Sequence, residues 1–152
     1  MKEIEPIRVI VADSHTRMRR TICCLITLEA DIRVVAEAET TQEVFRKVQE
    51  LSPQVLVIDM ELCAADGIGV IRRLKEEDEL VRILALSLND EQEYVREVLR
   101  SGVDGYLLKD DAPDLASEAV RCLARGKNGS FFRVSSDWAI LPWRKRWAKR
   151  PL

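Results

Sequence analysis
Short apolar runs alternate along the chain with longer stretches of mixed polarity. The runs are IRVIVA (7–12), RVVAEA (33–38), VLVID (55–59), RILALS (82–87) and DGYLLK (104–109). Three of them are nearly continuous Val, Ile and Leu, the pattern of parallel strands covered on both faces. The stretches between them predict helices over Thr16–Leu28, Thr41–Leu51, Ile68–Glu76, Glu91–Arg100 and Asp114–Arg125. In the second, Val44, Val48 and Leu51 recur at helical spacing, and in the fourth Tyr94, Val95, Val98 and Leu99 do the same. Thr40 or Thr41 can cap the second helix with Glu43 close behind, and Asp66-Gly67 turns the chain into the third. Ser101-Gly102 ends the fourth, and Pro113 sits where a first helical turn tolerates proline. Five strand–helix units predict an α/β fold: a doubly wound, five-stranded parallel sheet with flanking helices, of flavodoxin-like order.

Composition narrows the class without changing this picture. With 47% hydrophobic and 33% charged residues, the 152-residue chain can bury a core, and disorder is excluded. No apolar run approaches the roughly 20 residues of a bilayer span. The start, MKEIEPIRVIVAD, is too short and too acidic for a signal peptide, so a cytoplasmic location is expected. Cys23, Cys24, Cys63 and Cys122 lack the spacing of a zinc site and read as buried or half-buried free thiols.

Charge divides the chain in two. The net charge of −2 combines −8 over residues 1–126 with +6 over residues 127–152. The second stretch also holds all three tryptophans, which places a boundary near Gly126. Its end, SSDWAILPWRKRWAKRPL, admits a short helix from Pro142 with Trp143 and Trp147 on one face. Three readings of this basic, Trp-rich extension stand open. It packs its aromatics on the domain or on a second subunit, it is the remnant of a lost output domain, or it is an arm for nucleic acid or an anionic surface.

In a doubly wound fold, sites gather at the carboxyl ends of the strands. The polar residues there are Asp13 and Ser14, Asp59, Ser87 and Lys109. Two carboxylates can hold a hard cation, while a lysine and a hydroxyl can contact phosphoryl oxygens. No Gly-rich loop follows a strand, which argues against a nucleotide or flavin.

These residues, in this order, resemble the receiver domain of bacterial two-component response regulators. IRVIVADSH, PQVLVIDMELCAADGIGVIRRL, ILALSLNDEQEYVREVLRSGVDGYLLKDD and LASEAVRCLARG look most like the LuxR/NarL-type subgroup, over about residues 6–126. The resemblance implies that Asp59 is the phosphoacceptor and that Asp13, Asp59 and the Glu61 carbonyl hold Mg²⁺. It implies that Ser87 and Lys109 contact the phosphoryl group, and that Tyr106 is an aromatic switch following Ser87 inward. The implied partners are a sensor histidine kinase or phosphotransfer protein, a downstream protein and a second copy of the chain. A signalling role is expected, with no enzyme activity.

Several positions depart from the family pattern. Ser14 stands where the family carries its second, more direct metal-binding acid, so Mg²⁺ binding is expected to be weak. Met60-Glu61-Leu62-Cys63 replaces a proline-shaped loop, and bulky Leu88 follows Ser87 where a small residue is usual. The Glu61 carboxylate is either solvated, leaning over the pocket, or paired with Lys109, and His15 reads as a solvated loop residue. Residues 127–152 are too few for a helix-turn-helix output module, so a stand-alone receiver is expected. The alternative is a pseudo-receiver that binds partners without phosphorylation. A weaker alternative is a transcriptional regulator using the basic tail, without a fold for base-specific reading.

Overall fold
The computed structural model describes residues 5–125, without the side chains of 64 and 65, and the backbone of 130–134 and 137–141. Its strands are β1 (Ile7–Ala12), β2 (Ile32–Ala38), β3 (Val55–Asp59), β4 (Arg82–Ser87) and β5 (Gly105–Leu108). Its helices are α1 (Thr16–Thr27), α2 (Thr41–Leu51), α3 (Gly67–Glu77), α4 (Gln92–Arg100) and α5 (Ala112–Ala124). The five strands are parallel, in the order β2-β1-β3-β4-β5.

Alternation along the central strands divides the core into two layers. Ile10, Ala12, Leu56, Ile58, Ile83 and Ala85 face α2, α3 and α4, where they meet Val44, Val48, Ile71, Leu74, Val95 and Val98. Val9, Val11, Val55, Val57, Leu84 and Leu86 face α1 and α5, against Ile22, Ile26, Ala116, Ala119 and Val120. Every residue of β3 is buried, which is why its sequence reads as one apolar run and not as an alternation.

Local signals act as the sequence indicates. The Thr40 hydroxyl accepts from the Glu43 N–H at 3.2 Å, and the Glu43 carboxylate accepts from the Glu39 N–H at 2.9 Å. Replacing Thr40 with alanine is therefore expected to cost about 1 kcal/mol, read by denaturant melting. Asp66 caps α3 by accepting from the Gly69 N–H. Gly102 adopts φ +116° just past α4, a conformation that favours glycine.

Four differences from the sequence reading have physical causes. The predicted strand 104–109 is shorter: β5 begins at Gly105, and before it the Asp104 carboxylate pairs with Lys75 and accepts from the Ile83 N–H in place of a backbone carbonyl, while the Asp104 N–H donates to the Ile83 carbonyl. Lys109 at its other end opens a 3-10 turn, Lys109–Asp111. Met60–Asp66 forms a longer 3-10 turn that no apolar period announces. Cys24 is exposed, against the expectation of burial, because the core face of α1 is formed by Arg19, Ile22 and Ile26.

The extension also contributes to the sheet. β6 (Ser130–Val134) pairs parallel with β5, and β7 (Asp137–Leu141) returns antiparallel beside it, giving seven strands. The helix expected from Pro142, with Trp143 and Trp147, lies outside the described residues.

Candidate functional site
The chain leaves β1 toward β2 on one side and later enters β3 on the other. A crevice opens where the order reverses, at the carboxyl ends of β1 and β3. Asp13 follows β1 and Asp59 ends β3, and both are fully buried. Lys109 arrives from the end of β5, 3% exposed, with Nζ 3.0 Å from Asp59 Oδ2 and 3.5 Å from Asp13 Oδ2.

Backbone donors orient both acids. The His15 N–H donates to Asp13 Oδ1 at 2.8 Å, and the Glu61 N–H donates to Asp59 Oδ1 at 3.1 Å. The second oxygens are different: Asp13 Oδ2 and Asp59 Oδ2 are buried and accept no hydrogen bond. Lys109 reaches both, in an ion pair with each. Two buried carboxylates thus share the Lys109 ammonium, so this is an acceptor-rich pocket short of positive charge.

The electrostatics follow from burial. Burial pushes the Asp59 carboxyl above its ordinary value and Asp13 adds to this, while Lys109 and the Glu61 N–H pull the other way. Burial alone would lower Lys109, but Asp59, Asp13 and Glu61 together raise it, so the ammonium stays charged. Cys63 lies behind the site with Sγ 3.9 Å from the Asp59 carbonyl, and burial holds its thiol at about 12. It is a packing residue there, not a nucleophile.

The remaining predicted residues form a second tier. Leu86 of β4 is the register partner of Asp59, and Ser87 is the next residue. Ser87 in turn pairs with Leu108, which precedes Lys109. The Ser87 hydroxyl accepts from the Asn89 N–H at 3.0 Å, and Tyr106 is wholly buried with its hydroxyl donating to the Asn89 carbonyl at 2.5 Å. The Tyr106 ring is thus already inward, locked to the loop that Ser87 begins. Leu88 points outward at 59% exposure. Ser14 is exposed beside Asp13. The Glu61 carboxylate is half-exposed and lies 3.9 Å from the Lys109 ammonium.

Two further residues, Arg19 and His15, meet the site. Arg19 is buried, donates to the Asp13 carbonyl at 2.8 Å, and pairs with Glu37 at 3.0 Å and Glu39 at 2.7 Å. It clamps the loop that carries Asp13. His15 is largely solvated as expected, yet its Nδ1 lies 3.3 Å from Asp13 Oδ1 and 4.0 Å from Asp59 Oδ2.

Residues 9–121 match the family model for the response regulator receiver domain. The chain belongs to that family. Its receiver is 31% identical over 120 residues to the transcriptional regulatory protein DegU of Brevibacillus brevis, spanning 79% of this chain and 51% of that protein. It is 31% identical over 135 residues to the nitrate/nitrite response regulator NarP of Escherichia coli, spanning 89% of this chain and 63% of that protein. The chain therefore spans between half and two thirds of the length of these relatives. Among solved structures it resembles the signal receiver domain of the putative response regulator NarL from Mycobacterium tuberculosis. That likeness has 28% identity, a TM-score of 0.76, and coverage of 81% of this chain and 99% of that one. The isolated receiver domain of RcsB from Salmonella enterica serovar Typhimurium, in the apo form, gives 25% identity and a TM-score of 0.79, covering 95% and 99%. The LuxR/NarL-type receiver expected from the motifs is thereby shown. No helix among the described residues is long and apolar enough to cross a membrane.

Proposed function
We propose that this receiver accepts a phosphoryl group on Asp59 in the presence of Mg²⁺ and switches a protein-interaction face near Tyr106. The observation that carries the reading is the pair of buried oxygens, Asp13 Oδ2 and Asp59 Oδ2, without hydrogen bonds beside Lys109. Hard oxygen donors of this kind fit Mg²⁺, which binds through one or two carboxylates and keeps its waters. Asp13, Asp59 and the Glu61 carbonyl would hold it. When bound, Mg²⁺ supplies charge neutralisation at the transferring phosphoryl oxygens.

The chain's own residues do the rest. The Asp59 carboxylate attacks phosphorus, the bond from phosphorus to the donor breaks, and the donor leaves with the electron pair. An acyl phosphate forms on Asp59, and no oxidant or further reactant is required. Attack needs the ionised carboxylate, which Lys109 and the Glu61 N–H favour against burial. Lys109 then has a phosphoryl oxygen to meet in place of a carboxylate. The Ser87 hydroxyl accepts from the Asn89 N–H and keeps its own proton to donate to a phosphoryl oxygen, while Tyr106 is tied to the same Asn89. That shared tie supports a coupling between the phosphoryl site and the face around Tyr106. The donor would be a sensor histidine kinase or phosphotransfer protein, and the chain itself acts as a signalling switch without turning over a substrate.

Phosphoryl gain from a small phosphodonor should occur with Mg²⁺ and be lost with a chelator, read by intact mass. Gain that is indifferent to chelation would overturn the metal requirement. A graded test uses Ser14. Two buried acids already face Lys109, so the charge left for a cation is small. Ser14→Asp adds a carboxylate beside Asp13, and a unit charge about 4 Å away is worth roughly 4 kcal/mol at an effective dielectric of 20, before desolvation. After that cost, Mg²⁺ affinity is expected to rise about tenfold or more, measured by calorimetric titration.

A pseudo-receiver is the second reading, and Ser14, Cys63 and Leu88 favour it. Its mark would be an unchanged mass at saturating Mg²⁺.

A further inference from the structure
We propose that His15 supplies a nitrogen ligand to the cation held by Asp13 and Asp59, biasing this pocket toward borderline divalent transition metals over Mg²⁺. The inference deepens the divalent-cation reading of the pocket and rests on it. One donor atom from each of Asp13, His15 and Asp59 can be chosen so that all lie within 4.8 Å of one another. The separations from His15 Nδ1 are 3.3 Å to Asp13 Oδ1 and 4.0 Å to Asp59 Oδ2. Two donors that share a metal at about 2.1 Å are roughly 3.0 Å apart at a right angle and about 3.4 Å apart at the tetrahedral angle. The Asp13 separation already fits, and the Asp59 separation asks for a small swing of the ring. That swing costs little packing, because the His15 side chain is 62% exposed.

A second, independent feature points to a ligand. Both acids are fully buried, and their Oδ2 atoms, which accept no hydrogen bond, share the single Lys109 ammonium as counter-charge, so two buried carboxylates are left with one positive charge between them.

The donor chemistry sets the preference. Mg²⁺ demands near-octahedral oxygen and gives up its waters reluctantly. Neutral imidazole suits zinc, copper, iron and nickel, and affinity rises along the first-row series toward copper. Ser14 removes an oxygen donor that a hard cation would use, while His15, one residue on, offers a donor that Mg²⁺ uses poorly. The sequence thus subtracts from the affinity for Mg²⁺ and adds to that for softer ions.

The test titrates the whole chain with Co²⁺ and separately with Mg²⁺, by calorimetry and by the visible spectrum of the cobalt complex. The wild type is expected to bind Co²⁺ more tightly than Mg²⁺. His15→Ala should reduce that preference by at least about tenfold, with loss of the nitrogen-ligand signature from the spectrum. A preference unchanged in His15→Ala would overturn the proposal. So would a thiolate-to-cobalt band removed by Cys24→Ser, since Cys24 is exposed on α1. Phosphoryl gain by the wild type in Mg²⁺, scored separately, keeps the two claims apart. Gain together with Co²⁺ affinity indifferent to His15 defeats this inference alone. His15-dependent Co²⁺ binding without gain supports it and defeats the phosphoacceptor reading.

Discussion

Replacing Lys109 with methionine is expected to destabilise the protein by about 3–5 kcal/mol, the usual cost of removing one partner from a buried ion pair. Methionine is unbranched and close to lysine in volume, so the loss is chiefly one of charge. What remains is Asp13 and Asp59, both fully buried, with neither Oδ2 accepting a hydrogen bond and no ammonium between them. For a chain of this size the midpoint of thermal unfolding should fall on the order of 10 °C. The deficit should depend on pH with a definite sign. Burial raises the Asp59 carboxyl in the folded state, and loss of Lys109 raises it further. A raised carboxyl contributes fully below its unfolded value near 4 and loses that contribution as pH climbs through the folded value. The deficit of Lys109→Met should therefore be small near pH 4 and largest at neutral pH. Divalent cations should recover more stability in the variant than in the wild type. A melting midpoint within a degree or two of wild type at pH 7 would mean that Lys109 is not the counter-charge of this pocket.

Arg19→Leu is expected to cost roughly 2–3 kcal/mol and to weaken Mg²⁺ binding severalfold, although Arg19 touches neither carboxylate. Its guanidinium donates to the Asp13 carbonyl, and removing it leaves that buried acceptor without this partner. Glu37 and Glu39 are about half exposed and can be satisfied by water, so little of the cost arises there. The effect on the metal is one of position: Asp13 then hangs from a loop held at one point fewer. Denaturant melting and Mg²⁺ titration on the same sample separate the two effects. Arg19→Lys should regain part of the stability but less of the affinity, because lysine cannot span three acceptors with a fixed fork.

Arg19 also shows how far the sequence could be read. The five strands and five helices were legible because buried parallel strands leave unbroken apolar runs and helices leave a 3.6-residue period. Asp13, Asp59, Ser87 and Lys109 were legible because polar residues stand out at the ends of such runs. Arg19 does not stand out, because arginines usually lie on the solvated face, yet its position carries a signal. It falls three residues before Ile22 and seven before Ile26, on the same buried stripe of α1. A charge at a stripe position implies a buried partner, here a backbone carbonyl and two glutamates. His15 was assigned to solvent from its loop setting, which gives exposure correctly but not the direction of the ring edge. The 3-10 turn of Met60–Asp66 could not be read from periodicity, since one turn of that geometry repeats nothing. The strands β6 and β7 are obscured in the sequence by the tryptophan and basic residues that dominate the tail. FFRV and WAIL carry the aromatic and β-branched residues that suit a hairpin at a sheet edge.

The claim on which the functional reading depends is that Asp59 is the phosphoacceptor. The most direct measurement is intact mass after incubation with a small phosphodonor at saturating Mg²⁺, on the wild type and on Asp59→Asn side by side. The wild type should gain a single phosphoryl group and Asp59→Asn none. An unchanged wild-type mass, or an equal gain in both proteins, would contradict the assignment.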